Sequence, residues 1–160
     1  MSGRKYPLDP LLELRERQVD DAARDLAKAV DVRQKAAATK QAAQTAKETA
    51  EERAARARDD EREALARGEL RAGDLMRALA WEVGIAEEQK RLAQQVAAAE
   101  QSEKKALDQE DGARGALASR QADADVVEKD KDRFVSKERQ KQIAKEEEAA
   151  DEAHGAKRGR

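Results

Sequence analysis

The chain has 160 residues, of which 42% are charged and 2% aromatic, with a net charge of −2 and no cysteine. Alanine supplies 35 of them, so few large side chains remain to fill a compact three-dimensional core. These figures exclude an ordinary globule, a disulfide framework, thiolate chemistry, and attraction to nucleic acid or an acidic membrane by bulk charge. Such a composition fits either a coiled coil or a disordered chain, and the spacing of the apolar positions decides for helix.

Met1–Lys5 is short, basic and expected to be mobile. Met1–Pro10 lacks the apolar core of a signal peptide, and no run approaches the ~18 apolar residues of a membrane span. The expected location is therefore cytoplasmic. Asp9-Pro10 is a helix start, with Asp9 capping and Pro10 in the first turn. Leu8, just before the cap, is placed to staple back onto that turn. Helix 1 is predicted over about 10–66, or ~85 Å at 1.5 Å per residue.

Two inward columns run along helix 1. One is Leu12, Val19, Leu26, Arg33, Lys40, Lys47, Ala54 and Glu61. The other is Arg15, Ala22, Ala29, Ala36, Ala43, Ala50, Ala57 and Ala64, alanine at seven of eight positions. A seam of alanine lets two helices approach closely. The Lys and Arg stems can cover it while their heads reach water.

Arg67-Gly68-Glu69-Leu70-Arg71-Ala72-Gly73-Asp74 interrupts the pattern. Gly68 can adopt the left-handed conformation that ends a helix, and Asp74 supplies charge and a capping oxygen for the next one. The turn is placed at about 67–73 and helix 2 at about 74–150. Its inward column is Ala78, Ile85, Leu92, Ala99, Ala106, Ala113, Arg120, Val127 and Phe134, apolar at eight of nine positions.

Acid-before-base pairs four apart decorate the outer faces: Glu13 and Arg17, Asp20 and Arg24, Glu52 and Arg56, Glu63 and Arg67, Glu87 and Arg91, Glu100 and Lys104. Each contributes ~0.3 kcal/mol to a solvated helix. The predicted fold is all-α: an antiparallel two-helix coiled coil, a single long helical hairpin. Mirror positions about the turn then set Leu12 opposite Val127, Tyr6 and Leu8 opposite Phe134, and Leu26 opposite Gly112 and Gly115. Those glycines each cost ~1 kcal/mol in a helix. They read first as clearance for Leu26, and second as a flexible joint. Ser136–Glu152 is left as a single charged helix that frays, followed by a disordered tail over about 154–160.

No phosphate-binding glycine loop and no His-Glu-x-x-His motif is present. His154, the one histidine, reads as solvent-exposed, since a metal site needs several converging ligands. Glu146-Glu147-Glu148 and Asp151-Glu152 read as a solvated face. The expectation is a non-enzyme with no cofactor and no metal.

Three features could bind partners. Near the turn lie Leu70, Leu75, Met76, Leu79, Trp81 and Val83, either a plug closing the hairpin or a docking knob. At the open end are Tyr6, Leu8, Leu11, Leu14, Val126, Val127 and Phe134, either core or a docking end. The basic run Lys129, Lys131, Arg133, Lys137, Arg139, Lys141 and Lys145 is diluted by Asp130, Asp132 and Glu138 and reads as a solvated face rather than a nucleic-acid stripe.

Tyr6-Pro7-Leu8-Asp9-Pro10-Leu11-Leu12-Glu13-Leu14-Arg15-Glu16 resembles the opening of the FliJ/YscO family of type III secretion stalk proteins. Gly68-Glu69-Leu70-Arg71-Ala72-Gly73-Asp74-Leu75 at the turn and Glu147-Glu148-Ala149-Ala150-Asp151-Glu152-Ala153 near the end are similar to that family in the same order. The tyrosines of flagellar members are absent from the middle, which leans toward the injectisome branch. The resemblance implies an antiparallel coiled coil similar to the stalk of rotary ATPases, peripheral to the secretion apparatus at the inner membrane. It implies that Tyr6, Leu8, Leu11, Leu14, Val127 and Phe134 enter a hexameric secretion ATPase. It also implies that Leu75, Met76, Leu79 and Trp81 meet a membrane export-gate protein, and that export chaperones bind. Neither nucleic acid nor direct membrane insertion is implied. Two other readings are a generic coiled-coil scaffold or export chaperone, and a desiccation-type polypeptide disordered in water.

Overall fold

The computed structural model describes residues 5–158, and these are all-α. Helix α1 is Asp9–Ala66 and helix α2 is Ala72–Arg158, and no strand occurs among the described residues. The two pack against each other as a helical hairpin. The terminal residues 1–4 and 159–160, expected to be mobile, lie outside the described residues.

The reversal is built by local chemistry. Gly68 has φ 71°, the left-handed conformation. Its N–H donates to Leu65 O and that of Glu69 donates to Ala64 O, both at 3.0 Å. These two bonds form a Schellman ending that satisfies carbonyls the helix would leave orphaned. Arg71 then caps α2, its carbonyl accepting from Leu75 N at 3.2 Å. Asp74 does not occupy the cap itself. It sits in the first turn and reaches back, its carboxylate accepting from Arg71 N at 2.9 Å. That bond and the bond from Arg77 hold its carboxyl below the usual range.

The start of α1 differs from the expected cap. Leu8 is the cap residue, its carbonyl accepting from Leu12 N at 3.0 Å, and Asp9 is already helical. Asp9 points its carboxylate across to Lys131 Nζ at 2.8 Å. The turn closed by Asp9 N and Tyr6 O at 3.2 Å carries the chain into the helix. Leu8 remains exposed.

The chain divides into two compact units. One combines the chain up to Leu26 with the chain from Ala113 onward. Its core is Tyr6, Leu12 and Val127, with Leu11 and Phe134 packed against them. The mirror pairing of Leu12 with Val127, and of Tyr6 with Phe134, is therefore present. The other unit is Ala27–Gly112 and includes the turn. Its buried residues are Ala50, Ala54, Leu92, Ala99 and Ala106, with the carboxylate residue Glu110. The covered positions on the helices alternate in steps of three and four, the coiled-coil spacing, with one break in α2, where Arg120 of the expected inward column is exposed. On the outer faces, Glu13–Arg17, Glu52–Arg56 and Glu63–Arg67 form as ion pairs, whereas Arg24 turns to Asp21.

The C-terminal stretch departs from expectation. Residues 154–158, expected to be disordered, are helical, and α2 continues to Arg158. From residue 144 the sequence is mostly alanine, glutamate and lysine, strong helix formers that one glycine does not interrupt.

The glycines of α2 also serve differently from the clearance first read into them. A Cβ at Gly112 or Gly115 would meet nothing within 4 Å. Neither glycine makes room for Leu26, and each carries only the backbone entropy of glycine in a helix. Gly112→Ala and Gly115→Ala are each expected to raise stability by about 1 kcal/mol, read from urea melts followed by circular dichroism. A loss of stability in either variant would show that the missing side chain is needed.

Candidate functional site: protein-docking surfaces

The residues singled out near the chain termini split into core and surface. Tyr6 and Val127 are buried, Leu11 and Phe134 partly so, and Leu8 and Leu14 are exposed. The Tyr6 and Phe134 rings lie 5.5 Å apart with a 55° tilt, an aromatic pair of favourable geometry. The Tyr6 hydroxyl donates to Asp130 Oδ2 at 2.6 Å. Asp9 with Lys131, and Arg15 Nη1 with Asp123 Oδ2 at 3.4 Å, fasten the same unit. Leu8, Leu14 and Val126, which is also exposed, are therefore the members of this set available to a partner without unpacking the core.

The tyrosine hydroxyl is held by charge. Its hydrogen bond to the Asp130 carboxylate, then burial, push the phenol up from 10.0 to about 12. Ionising it would set two anions side by side. Lys131 is shifted up as well, because its bond to the Asp9 carboxylate favours the ammonium form.

Near the turn the division is sharper. Leu75, Met76, Leu79 and Val83 are exposed, the last three by 69%, 65% and 68%. At 100° per residue they fall on one face of α2. Leu65, in the last turn of α1, is also exposed. Trp81 is half-buried and lies two residues from Leu79, on the other side of the helix. Trp81 is thus set apart from Leu75, Met76 and Leu79, with which it was grouped.

Sequence reasoning missed the charges inside the seam. Arg33 and Lys40 keep about a third of their side chains exposed, and their heads also meet acids across the seam. Arg33 Nε lies 2.7 Å from Glu110 Oε2, and Lys40 Nζ donates to Glu103 Oε2 at 2.8 Å. Arg58 meets Glu82 with two parallel bonds of 2.7 Å, the bidentate geometry of guanidinium and carboxylate. The Arg58 bonds hold the Glu82 carboxyl below its ordinary value, and the Glu103 bond raises the Lys40 ammonium. The acids went unread because the second inward column of α2 is largely polar. A usable signal was present: each acid lies within a few residues of the mirror position of its cation about the turn.

Among the described residues no group of three or more potential metal ligands converges. No helix among the described residues is long and apolar enough to cross a membrane. His154 is helical and exposed. The surface concavities are shallow grooves along the helices, such as that lined by Gln18, Asp21, Ala22, Asp25, Ala113, Ala116 and Arg120. Comparison with protein-family models, with characterised proteins and with solved structures finds no match.

The Tyr6 bond has a pH signature of known sign. The phenol value is raised in the native state, so its stabilisation is complete below pH 10.0 and lost as pH climbs to about 12. The stability difference between the wild type and Tyr6→Phe is expected to be constant below that window and to decline within it, measured by urea melts at each pH. A difference that stays flat through the window would place Asp130 away from the hydroxyl.

Proposed function

We propose that the chain is a non-enzymatic stalk of a type III secretion system. In this reading the unit carrying the chain termini inserts into the hexameric secretion ATPase. The turn reaches the membrane export gate, and exposed helix faces receive export chaperones. The location is cytoplasmic, peripheral to the apparatus at the inner membrane.

The observation that carries the reading is the pairing of a locked seam with apolar surface left over. Ion pairs and packed rings already hold the helices together, so Leu8, Leu14, Leu75, Met76 and Leu79 remain exposed without a role in the fold. Exposed apolar groups of this size mark interaction sites. Unbroken helices also suit a mechanical link, because they pass force along continuous hydrogen-bonded backbone. The sequence likeness at residues 6–16, 68–75 and 147–153 supports the choice of machine.

The test is co-elution of the full chain with the secretion ATPase of the same cell, with ATP hydrolysis measured in parallel. Binding with stimulated hydrolysis is expected. Leu8→Ala with Leu14→Ala together should weaken binding while leaving helix content unchanged, since both side chains stand clear of the core. Absence of both co-elution and stimulation would leave a generic scaffold or export chaperone as the better reading.

A further inference from the structure

The seam between α1 and α2 is not the only heptad stripe in the Ala27–Gly112 unit. On α2, Ala72, Met76, Leu79, Val83 and Ala86 follow one another in steps of four and three, the same alternation that builds the seam. In contrast to the seam, every one of these residues is exposed. The stripe ends abruptly, since the next position in the series is Lys90. Leu75 broadens it on one side. There Leu75 and Leu79 line a groove with Ala78 and Glu82 of α2 and Glu61 of α1.

The spacing defines the shape of what fits. Steps of four and three accept the knobs of another helix, whereas an extended strand repeats every second residue. An apolar groove between two helices is where a third, amphipathic helix lies down.

Area decides between a second copy and a foreign helix. From Ala72 to Ala86 the stripe is ~21 Å long and a helix covers ~10 Å of width, so the contact is ~200 Å². A stable dimer needs ~800 Å² from each partner. A second copy meeting through this stripe alone falls well short. A helix that belongs to a larger partner does not have to supply the whole interface here.

Charge defines one feature of that helix. Around the groove, Arg58 is paired with Glu82, Arg62 with Asp59 and Arg77 with Asp74. Glu61 lines the groove and meets no cation among the described residues. Its complement is free to come from the occupant.

We propose that this groove receives an amphipathic α-helix of a partner protein, apolar at heptad spacing and carrying a Lys or Arg against Glu61. The proposal rests on one part of the stalk reading, that the turn end docks a partner, and it specifies the chemistry of what docks.

The probe is a labelled synthetic peptide of about three heptads, leucine at the inward positions and lysine beside them, titrated into the full-length chain. The comparison peptides carry glutamate in place of lysine, or the same composition scrambled. Binding of one lysine peptide per chain is expected, with the glutamate peptide weaker. Leu79→Asp should weaken binding by about tenfold or more, and Glu61→Gln should erase the preference for lysine over glutamate, both with unchanged circular dichroism. Met76→Ala provides a second, milder loss without introducing charge. Three outcomes overturn the proposal: no binding, equal binding of the scrambled peptide, or wild-type binding by Leu79→Asp. So does a chain that sediments as a dimer and becomes a monomer on Leu79→Asp, because the occupant is then a second copy. Co-elution with the secretion ATPase reads the other part of the stalk assignment. Peptide binding without co-elution keeps the groove and removes the stalk, and co-elution without peptide binding does the reverse.

Discussion

The rest of the structure depends on how little lies between the helices. In the Ala27–Gly112 unit the buried positions are mainly alanine, with Ala54 fully covered and Ala50, Ala99 and Ala106 close to it. Side chains this short allow close approach of two backbones, and they give up almost no rotamer freedom when buried. Each contributes little apolar area, so stability has to be gathered over many turns. That is why both helices are long, and why their outer faces are laced with charge rather than covered by further layers. A short hairpin of this composition would not bury enough to fold.

A seam of near-identical alanines fixes distance but not register. Sliding one helix past the other by a heptad would bring alanine against alanine again. The register is set where the seam is not alanine. Near the termini, Leu12 against Val127 and the Tyr6–Phe134 ring pair are too large to be matched elsewhere along the chain. Within the turn unit, Arg33 with Glu110, Lys40 with Glu103 and Arg58 with Glu82 are the corresponding marks. Of these charges Glu110 is the buried one, so a slipped register would leave a covered carboxylate without its cation, and that cost favours the observed alignment. Positions that seemed to weaken the heptad pattern are in this way the ones that define its alignment.

Much of this was legible because it follows from short-range rules. Gly68 could be assigned a left-handed ending, and the heptad columns could be counted, from residue identity alone. The contact of Leu12 with Val127 followed once the turn was placed. What escaped were choices between two partners of comparable strength. Asp9 could cap its own helix or reach Lys131, and the sequence does not contain the distance that favours Lys131. Arg33 and Lys40 could reach water or an acid across the seam, and reading columns for apolarity hid those acids. Gly112 and Gly115 looked like clearance because mirror positions ignore where a side chain points. The helical end of α2 was underestimated for a related reason: loss of a packing partner was given more weight than the intrinsic preference of alanine, glutamate and lysine. At the candidate site, the apolar groups near the turn were visible, but not that Trp81 faces away from Leu75, Met76 and Leu79.

The seam also leaves large apolar side chains outside. The side chains that could have closed the fold, Leu75, Met76, Leu79 and Val83, are instead presented on one face of α2, and the seam holds without them. The whole account stands on the seam being registered by its embedded charges, and charge reversal across one pair tests this most directly. Arg33→Glu and Glu110→Arg should each lower the melting temperature, because each sets like charges 2.7 Å apart in a covered site. The double variant, which restores the pair with its ends exchanged, should recover most of the loss. If the double variant melts as low as the sum of the two singles predicts, the pair does not set the register and the alignment rests on packing alone.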